Sequence, residues 1–181
     1  PLVLNYTGGD ALDLYGYFVK QVSDEARSIL EELSKKNGRV YDIEKDGLRI
    51  TTTLDAHLQR SAHIAVHQHL EVMQPKLDKE LKHAKARSSW EKRMQRKGGA
   101  RWKTNAKEIR EIYDHAARRL DTLTYRDSLW HYHTLLNGAV FMMEPNSGAV
   151  RAWVGGNDHR YLPYDLVKAR RPIASTIKPI V

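Results

Sequence analysis

The chain has 181 residues, of which 41% are hydrophobic and 29% charged, a composition that suffices for one ordinary globular core. It contains no cysteine, which excludes disulfide bonds and thiolate chemistry, and no apolar run approaches the length of a membrane span. The formal net charge of +8 is localised, because residues 76–103 contain eleven Lys and Arg against three Asp and Glu.

The first predicted element is an amphipathic helix that begins near Asp13. Asp10 or Asp13 can cap its first turn, and Asn37-Gly38 supplies a stop signal. The apolar stripe along this helix consists of Leu14, Phe18, Val22, Ile29, Leu30 and Leu33. We expect a connecting helix that packs on a neighbouring element.

A strand region and a second helix come next. Residues 39–55 predict one or two strands, because the β-branched run 50–53 favours extended backbone. Asp55 is the expected cap of the second helix. One side of that helix carries Leu58, Ala62, Ala65, Val66 and Leu70.

Two histidine pairs have to be considered as metal ligands. His63 and His67 lie four residues apart on the second helix, a spacing that can bind a metal ion, and His131 and His133 form a second pair. No cysteine or carboxylate joins them at a telling distance. We therefore expect packed or solvated histidines, with no metal site and no cofactor.

Residues 74–123 are predicted to be helical, with breaks at Pro75 and at Gly98-Gly99. Their positive charge could attract nucleic acid, anionic lipid or acidic wall polymers, but a solvated helical insertion is the favoured interpretation, and no nucleic acid is expected. Trp90 and Trp102 could stack on bases or sugars, yet buried tryptophans that dock the insertion onto its own domain are more common.

The sequence after the insertion predicts a helix and then a β-hairpin. Thr124-Tyr-Arg-Asp127 fits a capping box, and Gly138 fits the helix end. The apolar runs 139–143 and 149–154 flank the turn residues 145–148. Runs this apolar are typical of strands that are covered on both faces.

The end of the chain carries a serine and a lysine in an S-x-x-K pattern, Ser175 and Lys178. If a helix begins near Ser175, both side chains lie on one face and can share a proton. The lysine can act as a base only where burial or nearby positive charge keeps it neutral. A second copy, Ser89 to Lys92, lies in a highly charged stretch and is interpreted as chance.

Three blocks of the sequence together resemble the class A (bifunctional) penicillin-binding proteins. The first is residues 144–156, E-P-N-S-G-A-V-R-A-W-V-G-G, followed by Arg170-Arg171 and by S-T-I-K-P at 175–179. The second is G-L-R-I-T-T-T-L-D at 47–55, with Leu58-Gln59. The third is the opening, residues 1–6, which is similar to the link that leaves the glycosyltransferase domain in that family.

The resemblance implies an α+β fold, namely an incomplete penicillin-binding (serine transpeptidase) fold in which an antiparallel hairpin packs with helices. Residues 1–50 would be the linker that follows a glycosyltransferase domain. Residues 51–181 would be the N-terminal part of the transpeptidase domain, with a basic helical insert at about 76–123. The parent protein would be anchored outside this segment and lie on the periplasmic side of the bacterial inner membrane.

By resemblance, Ser175 is the nucleophile and Lys178 its base in a peptidoglycan-cross-linking D,D-transpeptidase. The implied partners are peptidoglycan stem peptides, β-lactam antibiotics and cell-wall synthesis proteins. The family's S-x-N and K-T-G motifs are absent from this sequence, so we expect no catalysis by this chain alone. Pro172-Ile173-Ala174 and Ile177 depart from the usual motif.

Two alternatives stay open. A β-lactamase or β-lactam-sensor domain would share the S-x-x-K chemistry. A polyanion- or partner-binding module would depend instead on the basic insert.

Overall fold

A computed structural model of the chain describes residues 10–97, 99–115 and 117–170, and the side chains from residue 14 onward. Within these ranges it has five α-helices and four strands, which confirms the expected α+β class. The helices are α1 (Asp10–Asn37), α2 (Ala56–His83), α3 (Ala86–Met94), α4 (Gly99–Lys103) and α5 (Tyr125–Thr134). The strands are β1 (Lys107–Tyr113), β2 (Arg118–Thr124), β3 (Val140–Met143) and β4 (Val150–Val154).

The chain divides into two compact units. The hairpin unit consists of residues 1–63 and 138–181, and the insert unit consists of residues 64–137. Helix α2 begins in the hairpin unit and continues into the insert unit. The proposed linker, insert and transpeptidase boundaries stay predictions, but α1 and the β3–β4 hairpin belong to the same compact unit.

Helix α1 ends where predicted, and its described part already begins three residues before the expected start near Asp13. It begins at Asp10 and ends at Asn37, and Gly38 then takes a left-handed conformation with φ of 65°, which glycine adopts without strain. Its most buried described aromatic residue is Tyr17, which the apolar stripe did not include. Two stripe residues near its end, Ile29 and Leu33, are exposed.

The prediction of strands at residues 39–55 was wrong. The segment is irregular, because only its end reaches a partner strand: Thr53 Oγ1 donates to Val150 O at 2.8 Å, and Asp55 N donates to Arg151 O at 2.9 Å. A β-branched side chain favours extended backbone, but a strand also needs a continuous ladder of hydrogen bonds. Ile50 is exposed, so no burial compensates for the missing ladder.

The β3–β4 hairpin forms at the predicted place. Glu144 N donates to Ala149 O at 2.9 Å, and Gly148 closes the turn with φ of 71°. The register shifts between Met142 and Met143, so that β4 carries one extra residue there. This bulge lies beside the Arg151 guanidinium, which pairs with the Glu144 carboxylate at 2.9 Å.

The prediction that the hairpin is covered on both faces was wrong, because only the face of β4 that carries Ala152 and Val154 is buried. Ala152 and Val154 are buried and pack with Ala62 of α2, and Val140 packs against this core from the side. The rest of β3 is exposed. Its exposed residues are Phe141, Met142 and Met143. The described part of the chain covers one face of this two-stranded sheet, so the apolar sequence of β3 did not predict its burial.

In the insert unit, Pro75 does not break α2, contrary to the prediction. The proline lacks an N–H and so removes one helix hydrogen bond, but the helix continues to His83, and the preceding Gln74 contacts the end of α5. Gln74 Nε2 donates to Thr134 O at 3.1 Å, and Leu136 N donates to Gln74 Oε1 at 2.7 Å. Of the second predicted break, residue 98 is outside the described residues, and α4 begins at Gly99.

Residues 107–123 were also predicted to be helical, and this was wrong, because β1 and β2 form an antiparallel hairpin there. Ile109 and Ile112 are three residues apart, which is a helical spacing. In the strand they lie on opposite faces, so that Ile112 is buried and Ile109 is exposed.

Helix α5 confirms the predicted capping box, whereas the tryptophans, expected to dock the insertion onto its own domain, pack with one another within the insert unit. Asp127 N donates to Thr124 Oγ1 at 3.2 Å and Thr124 N donates to Asp127 Oδ2 at 3.2 Å, which is the predicted capping box. The helix ends at Thr134, before the predicted Gly138. Trp90 and Trp102 are buried, with ring centroids 5.4 Å apart, and so pack inside their own unit.

Candidate functional site

Ser175 and Lys178 lie outside the described residues, so their geometry stays a prediction. The described chain reaches residue 170 and includes the loop of residues 155–170, which follows β4 and leads toward them. A framework of hydrogen bonds from α1 and α2 holds β4 and this loop.

Gln59 of α2 is the centre of this framework. Its side chain is fully buried and bonds both backbone groups of Trp153, donating from Nε2 to the carbonyl oxygen at 2.9 Å and accepting the N–H on Oε1 at 2.7 Å. It also donates to Leu14 O of α1 at 2.8 Å. The carboxamide thus takes the place of a neighbouring strand along β4 and ties two helices to the hairpin.

Tyr17 of α1 holds the loop from the other side. Its hydroxyl donates to Leu162 O at 2.5 Å, and Leu162 N donates to Asp158 O at 2.9 Å. Burial, followed by the negative charges of Asp158 and Asp165, raises the pKa of Tyr17 well above its usual value. The hydroxyl therefore stays protonated and keeps donating over the physiological range.

Gly155 allows the loop to approach α1 closely. A Cβ atom at this position would lie 2.5 Å from Asp165 Oδ1 and 2.7 Å from Tyr17 Cγ. The same carboxylate accepts from Trp153 Nε1 at 2.9 Å and from Val167 N at 2.9 Å, so it cannot move away without losing both bonds. Only glycine fits between the carboxylate and the ring.

Two polar residues of the loop are buried and bonded. Asn157 is 1% exposed and accepts from Gly138 N at 3.3 Å, and Asp158 is 2% exposed and accepts from Arg160 N at 2.9 Å. Buried polar groups are retained where they are hydrogen-bonded, and here they fix backbone at the entrance to β3 and after β4. The loop is therefore a packed part of the hairpin unit.

The second S-x-x-K copy lies on α3. Ser89 and Lys92 are both exposed there, so no burial favours a neutral amine. This agrees with the interpretation of that copy as chance.

The predicted packed histidines have identifiable contacts in the insert unit. His67 Nδ1 is 3.3 Å from the Tyr113 hydroxyl, His131 Nε2 is 2.6 Å from Tyr113 O, and the His133 ring stacks on Trp90. In the hairpin unit His63 is half-buried. Among the residues described, no group of three His, Asp or Glu side chains is placed to hold a metal ion.

His115 is a further histidine that the sequence reasoning missed; the residue is half-buried, and both of its ring nitrogens are inaccessible to solvent. Neither ring nitrogen has a hydrogen-bond partner among the described residues. It lines a cleft of about 330 Å³ in the insert unit together with Glu71 and His131. Burial lowers the pKa of His115, and the neighbouring His67 and His131 lower it further, while Glu71 opposes them.

Gln59 and Tyr17 were also missed as structural centres. The resemblance included Gln59 but gave it no structural role. The sequence did contain a hint, because Gln59 is a polar residue three positions before Ala62, on the apolar side of α2. A buried polar residue on an apolar helix face normally has a specific bonded role. No comparable feature of the sequence pointed to Tyr17, because this residue was not part of the predicted apolar stripe of α1.

No protein-family model matches the chain, and neither curated proteins nor solved structures give a match. In the described residues, no helix has the length and apolar character that crossing a membrane requires.

Proposed function

We propose that this chain is part of a penicillin-binding D,D-transpeptidase of a bifunctional cell-wall synthase, in which Ser175 is the nucleophile. The proposal includes the penicillin-binding fold and a location in the bacterial cell envelope, on the outer side of the inner membrane. It rests on the resemblance of the three sequence blocks, and the described geometry supports it without reaching the serine.

The observation that carries the proposal is the hairpin. Residues 144–156, the longest block of the resemblance, fold as its turn and second strand and the start of a tightly held loop. A nucleophilic serine needs a rigid support, because small displacements of reacting groups cost large factors in rate. Gln59, Tyr17 and Asp165 supply such support to the chain that leads toward Ser175.

The proposed chemistry is acyl transfer. Lys178, as an uncharged amine, takes the proton of the Ser175 hydroxyl while Oγ attacks the carbonyl carbon of a terminal D-Ala-D-Ala bond. The peptide bond breaks, D-alanine leaves with a proton, and an ester joins the stem peptide to Ser175. An amine of a neighbouring stem then displaces the serine and forms the cross-link. A β-lactam would stop at the ester.

The test is covalent labelling with a fluorescent penicillin, in a protein that carries this chain together with S-x-N and K-T-G segments. We expect Ser175→Ala to abolish the label, and Lys178→Met to slow labelling by about 10²–10⁴-fold, the usual contribution of a general base. The labelled band is read on a denaturing gel, with time points for the rate.

The chain offers a matched control in its other S-x-x-K copy. Ser89→Ala removes an exposed serine with the same spacing to a lysine and should leave labelling unchanged. Undiminished labelling of the Ser175→Ala protein would refute the assignment of the nucleophile.

The alternatives differ in their predictions. A β-lactamase would hydrolyse the ester and turn over penicillin, whereas a transpeptidase or a sensor retains the label. The third alternative, a binding module, would use the basic stretch of the insert unit. Such binding is compatible with transpeptidase or with β-lactamase activity, so a binding function and an enzymatic function can occur in one protein.

A further inference from the structure

The insert unit has a groove between α3 and α5. Its volume is about 520 Å³, within the range of about 300–1,000 Å³ that small-ligand sites occupy. Trp90 and Met94 of α3 form one side of the floor, and Leu129 and Tyr132 of α5 form the other. Met side chains adapt readily to apolar groups of different shape.

Two cations, Arg93 and Lys97, stand at this groove, and none of the residues that line it is acidic. Both cations are exposed. They belong to the eleven Lys and Arg of residues 76–103, all of which are exposed. Within the described chain only Arg87 of this set forms ion pairs, with Glu91 and Asp127. The groove is therefore an apolar cleft inside a field of positive charge that the unit itself does not neutralise.

The groove is backed by a cluster of aromatic rings. The Trp90 ring lies 5.4 Å from Trp102 and 5.1 Å from Trp130, and His133 stacks on it with the planes 27° apart. Because Trp90 is only 4% exposed, its faces are already occupied by protein rings. Nucleic-acid bases and sugars need an open aromatic face, so stacking of either on Trp90 is disfavoured.

The shape of this surface also disfavours a membrane. Amphipathic membrane binders insert protruding apolar side chains below the headgroups. Between residues 73 and 108 no large hydrophobic side chain is among the exposed ones of the described chain, and the apolar surface there is concave. A concave apolar site accepts a protruding side chain of a partner.

We propose that this groove binds an acidic peptide segment of a partner protein, with one apolar side chain held against Met94 and Leu129 and with carboxylates on both sides of it at Arg93 and Lys97. Charge complementarity brings the segment to the insert unit, and the apolar side chain fixes its register. The proposal is independent of the transpeptidase assignment, because it uses no residue of the hairpin unit.

The experiment measures binding of a fluorescein-labelled synthetic peptide to the full chain by fluorescence anisotropy. The peptide has one leucine between two short runs of glutamate, and a matched peptide has serine in place of the leucine. Because burial of a leucine side chain against apolar residues is favourable, the leucine peptide should bind at least about tenfold more tightly than the serine peptide.

Two charge-reversal variants with equal net charge locate the binding. Arg93→Glu with Lys97→Glu changes the groove, and Lys79→Glu with Lys82→Glu makes the same charge change on exposed side chains of α2 outside the groove. The groove variant should lose about tenfold or more in affinity for the leucine peptide, because two ion pairs become repulsions, and the control variant should lose less. All four positions are exposed, so neither variant should unfold the chain.

Four results would overturn the proposal. Equal affinity for the two peptides, or equal loss in both variants, would mean unspecific attraction of acidic chains. Absence of binding by either peptide would exclude the acidic segment as occupant. If the chain were retained on phosphatidylglycerol vesicles, and the groove variant lost this retention while the control variant kept it, the surface would be assigned to a membrane instead.

Discussion

At the scale of single residues, Gln59 contributes more hydrogen bonds to the hairpin unit than its position on a helix suggests. One carboxamide satisfies the N–H and the C=O of Trp153 and the C=O of Leu14. Each of these groups would otherwise need another partner, since Gln59 and its surroundings exclude solvent.

Replacement of Gln59 by leucine should therefore destabilise the chain. The leucine has nearly the same volume but leaves buried backbone groups without partners, each at a cost of about 1–3 kcal/mol. We expect a clear decrease in the urea midpoint, followed by circular dichroism, and a loss of at least about 2 kcal/mol in the free energy of unfolding.

Gln68→Leu is the control, because Gln68 lies on the same helix and is exposed. It should change the stability by less than about 0.5 kcal/mol. Equal effects of the two substitutions would show that the buried carboxamide is not the source of the stability.

This residue also shows how far the sequence could predict the site. Leu58-Gln59 was recognisable as part of a motif, but the motif did not say that the amide would serve as a partner for β4. Such a role depends on which strand edge packs beside the helix. Tertiary packing of this kind cannot be predicted from the spacing of residues along the chain. Ser175 and Lys178 are predicted from the sequence alone and lie outside the described residues.

At the scale of elements, caps and turns were predictable because their signals are local. Asp55, the Thr124 capping box and the turn at Gly148 each depend on residues within a few positions of one another. The hairpin of β1 and β2 was not predictable in this way. Isoleucines at 109 and 112 have helical spacing, and only pairing with the following strand shows which of them is buried.

The opposite error occurred at residues 50–53. Their β-branched side chains favour a strand, yet the segment has partners only at its end, where Thr53 and Asp55 bond to β4. Both errors have one cause: local preference is a weak term that strand pairing overrides. Local sequence patterns therefore predict helix caps and turns better than they predict whether a segment forms a helix or a strand.

The capping box of α5 gives a prediction at this scale. Thr124 accepts from Asp127 N and donates from Oγ1 to Asp127 Oδ2 at 2.7 Å, and Arg87 pairs with the same carboxylate. Burial alone would raise the pKa of Asp127, but the bonds from Thr124 and Arg87 outweigh it and hold the pKa below its usual value.

Thr124→Ala should cost about 1 kcal/mol, the usual value for an N-cap, because it leaves a helix N–H without its acceptor. The measurement is urea unfolding followed by tryptophan fluorescence. Thr52→Ala, at an exposed threonine outside any helix, should be close to neutral. If the cap variant were as stable as the control, the capping box would not contribute to the stability of α5.

At the scale of the whole molecule, the tryptophans report mainly on one unit. Trp90, Trp102 and Trp130 belong to the insert unit, and Trp153 belongs to the hairpin unit. Fluorescence therefore follows the insert unit for the most part, which contains His115 as well.

The half-buried His115 should make this unit sensitive to acid. An unfolded histidine has a pKa of about 6.5, and burial lowers the folded value, so the unfolded state binds more protons between the two values. Stability is fully present above about pH 6.5 and is lost as the pH falls from there through the folded pKa. We expect the melting temperature by fluorescence to decrease from about pH 7.5 to about pH 5.5.

His115→Phe separates this effect from other titrations. The phenyl ring keeps a buried aromatic side chain and cannot be protonated, so the decrease over the same pH interval should be smaller than in the unchanged chain. Parallel curves for the two proteins would show that other groups carry the pH dependence.

The exposure of β3 has a consequence for the behaviour of the chain in solution. In the described part of the chain β3 pairs only with β4, and Phe141, Met142 and Met143 face solvent. An unpaired backbone edge beside exposed apolar side chains is a template for strand addition between molecules, and proteins usually protect such edges with charge or proline. Concentration-dependent aggregation of this chain should therefore begin at β3. Met142→Lys should reduce this aggregation, because a charged side chain on an edge strand disfavours pairing with another molecule.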